Sequence, residues 1–447
     1  MRPVVRPPLR LPVLLAAAAS PILLAYGILL RQFVAIPLLD DYPSILEFAE
    51  HFQQLPSASQ KLLYLAAAQS NEYKLIFLHA LIALQLIAVH HLNFSFLVAV
   101  GNLLPLLILV ILWLNAFRDE PELSHRLLLF LPVPFLLFQL NYAEAFDWAL
   151  GSLQNLGVVA FALLSLHLLP RPGRASFAGA TAAAALACTA SAGGFLLAPI
   201  GALALLSRRR YTAAVVWFIP FLLMSLLYLY KYVRLPYGPH AGAPAMLLFF
   251  LSFLGSAYEN MHHRPVPYLS VVLGIAFLCA FVAALRHHSR RDPTFLFLST
   301  VFFLGTAGLA TVGRAGMGLE TSLSARYKIY SDLMLIVTYL ALAERIRNSP
   351  RPSFLGGNRG HRFIAAAVAL AISLCAASDI AGYHFLSKRK TQLIRGLQLY
   401  LASSGASSPM LNPNATQSAG INYLQEEART SLTRSLQSGL YTTPALP

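Results

Sequence analysis

The chain is predicted to be an all-α integral membrane protein with about eleven transmembrane helices and further juxtamembrane helices on its outer face. Three observations predict this. Hydrophobic residues make up 57% of the 447 residues and charged residues only 11%, against roughly 25% charged in a soluble domain. Apolar runs that approach or match the ~30 Å of bilayer hydrocarbon recur from end to end. Several of the loops between them are basic, as the positive-inside bias requires. That bias also accounts for the formal net charge of +15. No basic stripe interleaved with aromatics is present, so nucleic acid is not an expected partner.

The first run, "LPVLLAAAASPILLAYGILL" at 11–30, follows Arg2, Arg6 and Arg10. It is long for a signal-peptide core and reads as an uncleaved helix with a cytoplasmic N-terminus. Further runs follow at about 74–90, 94–117, 127–140, 152–170, 176–190, 194–207, 212–231, 267–285, 294–312, 327–344 and 363–382. Basic segments at 171–174, 208–210, 286–291 and 345–362 belong to the cytoplasm on charge. If every run crossed, 171–174 would fall outside. The run at 74–90 is therefore expected not to cross, because Lys74, His79, Gln85 and His90 are costly in hydrocarbon and tolerable in the headgroup region. The short run 246–257 is treated in the same way. Eleven spans remain, with the C-terminus outside. The runs 176–190 and 194–207 are too short to span upright and need cover from protein or a wet cavity.

Two regions result. Residues 1–382 form the polytopic domain, whose first outer loop 31–93 contains the interfacial helix 74–90. Residues 383–447 form a polar periplasmic tail with only weak helical patches. The cysteines Cys188, Cys279 and Cys375 all lie in apolar runs without CxxC spacing, and read as buried small hydrophobes.

This topology gathers the uncommon polar residues on the outer face. The first outer loop holds Asp40, Asp41, Glu47, Glu50 and "SNEYK" 70–74; the next holds Glu144, Asp147 and Trp148; later ones hold "YENMHHRP" 258–265 and "GRAGMGLETSLSARYK" 313–328. Asp40 and Asp41 are either a solvated helix end or acids of a site. Glu144 and Asp147, three apart, share one face of a helical turn. In 313–328 the glycines allow close backbone approach to a ligand, and Arg314 and Arg326 can bind phosphate bidentately. Snorkelling arginines would leave those glycines and Glu320 unexplained. The adjacent histidines of "HHRP" lack a third ligand and are a weak metal signal. No GxSxG, P-loop or GxGxxG occurs.

An acidic first outer loop with a surface helix, a short acidic second loop and a late arginine loop together resemble the GT-C superfamily of polytopic glycosyltransferases. More closely, the chain resembles bacterial membrane proteins sharing the pattern DD…NEHR…ENLLWGFQ…GRAGFGLE…SRY. Here it is met as "DDY" 40–42, "NEYK" 71–74, "AEAFDWALGSLQ" 143–154 and "GRAGMGLETSLSARY" 313–327. The likeness covers about residues 10–345. Tyr73 and Lys74 replace its His-Arg, and Lys74 lacks the guanidinium fork.

The resemblance implies inverting transfer from a polyprenyl-phosphate-linked sugar on the periplasmic face of the bacterial inner membrane. Asp41 or Asp40 would be the general base, with Asp41 slightly favoured. Glu144 and Asp147 would serve acceptor or metal. Arg314 and Arg326, with Lys74, Arg264, Glu320 and Tyr327, would bind the substrate and its leaving phosphate. No soluble cofactor is implied, and the resemblance leaves room for a divalent metal. Rival readings are a surface-polysaccharide polymerase or ligase, a lipid-linked sugar flippase or transporter, and a non-catalytic scaffold. A transporter should show internal repeats and mid-span charges, and neither is evident.

Overall fold

Apolar runs rich in Leu, Ile, Val and Ala, with polar breaks between them, can satisfy their backbone within lipid only as helices. The computed structural model of the protein is predominantly helical and has no strand among its described residues, which are 11–234, 241–258, 267–285, 294–347, 358–403, 405 and 419–445. The first helices are α1 (Leu11–Gln32), α2 (Phe48–Gln54), α3 (Ala58–Ala67), α4 (Ile76–Val89) and α5 (Phe94–Asn115). The middle of the chain holds α6 (Leu123–Phe130), α7 (Pro132–Leu137), α8 (Glu144–Asp147), α9 (Ala149–Gly151), α10 (Gly157–Leu168), α11 (Arg174–Ala190), α12 (Leu197–Ser207) and α13 (Tyr211–Leu229). The last are α14 (Ala243–Leu254), α15 (Pro267–Leu285), α16 (Phe295–Arg314), α17 (Lys328–Arg347), α18 (Asn358–Ala402) and α19 (Ala419–Gln437).

Among the described residues, seven helical stretches are long and apolar enough to cross a membrane: Leu11–Gln32, Phe94–Asn115, Leu123–Tyr142, Ala149–Leu168, Tyr211–Leu229, Phe295–Met317 and Arg362–Ala402. The protein is an all-α, multi-pass membrane protein. Each stretch overlaps an expected span, and the last runs twenty residues beyond the expected end at 382. The other four expected spans are helical but differ in kind. α11 and α12 are short, α15 reaches the limit, and α17 carries Lys328, Asp332, Glu344, Arg345 and Arg347. α17 tolerates these charges because protein surrounds it: Leu333, Met334, Ile336, Val337 and Leu340 are fully buried. Asp332 Oδ1 accepts from Gln139 Nε2 at 2.9 Å and Asn141 Nδ2 at 3.0 Å, partners that lipid could not supply.

The chain folds as two units. The first comprises 1–30, 107–142 and 239–382; the second comprises 31–106, 143–238 and 383–447. Within the first unit, hydrogen bonds show which helix ends share a face. Arg126 Nη2 donates to Trp113 O at 2.5 Å and Ala116 O at 3.0 Å, Phe117 N donates to Glu344 Oε1 at 3.3 Å, and Arg345 donates to Ala283 O. A second group joins Asn141 to Ala257 O at 3.1 Å, Leu140 N to Asp379 Oδ1 at 3.1 Å, and Ala257 N to Ser331 Oγ at 2.8 Å. Here α14 and α15 touch backbone to backbone. A Cβ on Gly255 would sit 2.0 Å from Ser270 O, and one on Gly274 2.0 Å from Leu251 O, so only glycine permits the approach.

In the second unit, Arg208 Nη1 donates to Pro170 O at 2.6 Å and Arg210 Nη1 to Leu169 O at 3.3 Å. The basic segments 171–174 and 208–210 therefore share a face, and α11 with α12 forms a hairpin that leaves and returns to it. α4 has 14 residues and rises about 21 Å. Lys74, just before it, bonds to Tyr230 O, while beyond its end His90 O accepts from Gln53 Nε2 at 3.2 Å and Leu92 N donates to Leu440 O at 2.8 Å.

The tail differs from its expected weak helicity. α18 runs unbroken to Ala402, and α19 follows. Leu386, Leu397 and Tyr400 are buried, and Leu393 packs on the core that holds Leu397 and Tyr400; these positions are 7, 4 and 3 residues apart, one helical face. Polar residues between them lowered the mean hydropathy without breaking that periodicity.

Candidate functional site

The first acidic motif lies on a constrained turn. Leu39 takes φ 46°, a left-handed conformation that a branched side chain adopts at a cost. The turn is closed reciprocally: Asp41 N donates to Leu38 O at 2.8 Å, and Leu38 N donates back to Asp41 Oδ2 at 3.0 Å. The chain then enters a π-helical stretch, Tyr42–Glu47, with Pro43 in its first turn, where a missing N–H costs nothing.

Asp41 is only 1% exposed, whereas Asp40 is half-buried. The Oδ1 of Asp41 accepts from Leu150 N at 3.2 Å, which ties the first acidic loop to the second. Burial pushes the Asp41 carboxyl up to about 8, with the Asp40 charge adding to it; N–H groups of Leu38 and Leu150 and the Trp148 indole oppose the rise. An acid neutral at pH 7 holds its proton and is a poor base. Asp41 is thus enclosed and ties the two acidic loops together, while Asp40 is the acid nearer the surface.

This raised value has a sign. The folded chain keeps a proton that the unfolded chain releases near 3.8. The associated stability is therefore complete below about pH 4 and lost as pH rises towards 8. Asp41→Asn cannot titrate and leaves one N–H without an acceptor, at about 1–3 kcal/mol. Thermal unfolding of the detergent-solubilised chain should show the variant well below wild type at pH 5, with the gap narrowing by pH 8. Parallel pH profiles for the two proteins would refute the assignment.

The second acidic motif is α8. Glu144 and Asp147 share a helical face as their spacing predicts, and one guanidinium engages both. Arg389 Nη2 meets Glu144 Oε1 at 3.0 Å and Nη1 meets Asp147 Oδ1 at 3.0 Å. Arg389 also stacks on Phe385, 4.3 Å from the ring centroid. Burial pushes the Asp147 carboxyl up to about 6, against the pull of Arg389. Asn102 Nδ2 donates to Phe146 O at 2.8 Å and braces the turn. The chain again leaves through a π-helical stretch, Ser152–Leu156. Since Arg389 already meets the charge of both acids, this pair does not fit a metal site. Among the described residues no group of three or more His, Cys, Asp or Glu is placed to hold one.

Lys74, expected on a substrate phosphate, is fully buried. Its ammonium donates to Ala66 O at 2.9 Å and to Tyr230 O, and burial lowers its pKa. Tyr228 and Tyr232 hydroxyls donate to Glu72 O at 3.3 and 3.2 Å. The "NEYK" segment is thus a clasp onto the end of α13, and Lys74 is not presented to a ligand.

The late glycine loop belongs to the first unit. Gly318 takes φ +103°, which requires glycine. Arg314 and Arg326 are half-buried and Glu320 is exposed. Arg314 Nη1 lies 3.8 Å from Met317 Sδ, and the Arg326 guanidinium lies 5.1 Å from the Tyr327 ring centroid. Arg264, with the rest of "HHRP", lies outside the described residues.

Sequence reasoning missed Arg389 and Arg434, both in the tail. The signal for Arg389 was available: it falls on the apolar face marked by Leu386 and Leu393. Comparison with family models, curated proteins and solved structures returns no match.

Proposed function

We propose that the protein is a GT-C-type glycosyltransferase of the bacterial inner membrane, with its N-terminus in the cytoplasm and its site on the periplasmic face. It moves a sugar from a polyprenyl-phosphate-linked donor to an acceptor hydroxyl. One observation carries this reading: two acidic loops about a hundred residues apart meet through the Asp41–Leu150 bond, the first running directly into a π-helical stretch and the second into one after the short helix α9. Such stretches in helical proteins concentrate at functional sites.

In this reading Asp40 takes the proton from the acceptor hydroxyl. The acceptor oxygen forms the new bond to the anomeric carbon as the bond to the polyprenyl phosphate breaks, and the phosphate leaves as an anion. Asp41 holds the turn. Arg389 braces Glu144 and Asp147 behind it. By their chemistry, Arg314 and Arg326 of the late glycine loop are the residues suited to binding a phosphate.

Native mass spectrometry of the purified chain should find a bound polyprenyl-phosphate sugar, and adding acceptor lipids or glycans should release the free polyprenyl phosphate. Movement of the intact lipid-linked sugar across vesicles without such release would instead establish a flippase.

A further inference from the structure

The segment that follows α18 grips the first acidic motif on both sides. Before it, the Tyr441 hydroxyl donates to Ala35 O at 2.6 Å. After it, Ser431 Oγ donates to Glu47 Oε1 at 3.0 Å, and Arg434 reaches Glu47 Oε1 at 3.5 Å and Glu50 Oε2 at 3.3 Å. Ala428, Leu432, Leu440 and Tyr441 are buried in one core with Tyr42, Ile45, Leu46 and Phe48.

Glu47 is the last residue of the π-helical stretch. A π stretch holds one more residue per turn than an α-helix and is intrinsically the less favourable form. Relaxing it would slip the preceding residues by one position, about 100° of rotation and 1.5 Å of rise. Asp40 and Asp41 are those residues. The bonds from α19 end on the residue where the register is decided, and the Tyr441 bond fixes the chain on the far side of the turn. We infer that Arg434 and Ser431 are positioning residues: the C-terminal helix holds the π register after the first acidic motif and thereby aims Asp40. The catalytic half of this inference rests on the proposed transferase reading; the structural half does not.

Two measurements on the full-length chain separate them. By hydrogen exchange, Arg434→Gln should speed exchange of the amides at 42–50 about two- to fivefold, the size expected for a partly exposed ion pair. Adding Ser431→Ala should speed it further, Arg434→Lys should restore most of the protection, and the amides of α17 should not change. In a transfer assay, Arg434→Gln should lower kcat with KM unchanged, and Arg434→Lys should recover it. Unchanged exchange at 42–50 in both Arg434→Gln and the Arg434→Gln/Ser431→Ala double variant would overturn the inference. Equal loss of kcat in the Lys and Gln variants, with exchange restored only in Lys, would overturn its catalytic half. If no variant or wild type transfers sugar, the transferase reading fails while the exchange result still decides the register.

Discussion

Asp40→Asn should yield a chain that folds, enters the membrane and binds its lipid donor as wild type does, yet transfers sugar about 10²–10⁴ times more slowly. That range is the usual contribution of a positioned general base. The substitution keeps the shape of the side chain and removes its ability to take a proton. Asp40 is half-buried rather than enclosed, and the isosteric amide keeps one of its two oxygens, so stability should change less than in Asp41→Asn. Asp41→Asn should behave in the opposite way, reducing stability more than the chemical step in the protein that remains folded. The two variants measured side by side for thermal unfolding and for turnover decide the assignment. Normal turnover in Asp40→Asn would reduce the paired acids to a turn and a solvated neighbour.

Arg389→Met should destabilise the second unit by about 3–5 kcal/mol, the cost of removing one partner from a largely buried ion pair. Side-chain exposures of 14% for Arg389, 16% for Glu144 and 8% for Asp147 leave little water to replace the guanidinium. The loss arises from two carboxylates left facing each other without a cation. Neutralising them as well, in Arg389→Met/Glu144→Gln/Asp147→Asn, should therefore recover most of the stability, and thermal unfolding of both variants would show it. Arg389→Lys should fall between, since a point charge cannot make both parallel contacts. If the triple variant is less stable than Arg389→Met alone, the carboxylates are not the source of the cost.

The membrane spans were legible because hydropathy reports what lipid demands, and α1, α5, α13 and α16 present apolar side chains to lipid. Where protein replaces lipid as the surroundings, that reading weakens. α17 keeps Asp332 in its interior because Gln139 and Asn141 serve it, and no hydropathy sum contains those partners. The acidic motifs were legible as motifs, and their meeting followed from the topology. Which of Asp40 and Asp41 is enclosed was not, because adjacent residues differ only in direction, which the Leu39 turn sets. Lys74 appeared available because its sequence neighbours are polar, but the carbonyls that hold it come from Ala66 and, across the unit, from Tyr230. Arg389 was concealed by a tail whose polar residues obscured a regular helical face.

The glycine contact between α14 and α15 has a consequence for how the chain is made. α14 has 12 residues, about 18 Å of helix, and cannot bridge the ~30 Å hydrocarbon layer alone. Its backbone partner, α15, ends about thirty residues later in the chain. At about 5–20 residues per second, α14 leaves the ribosome roughly 2–6 s before the helix that will enclose its Gly255 face. During that interval it must rest at the bilayer surface or in the insertion machinery, apolar and unpartnered. Any side chain larger than hydrogen at Gly255 or Gly274 would prevent the later docking rather than the earlier insertion. Such a variant would therefore be synthesised and delivered to the membrane normally, and be lost afterwards to quality-control proteolysis.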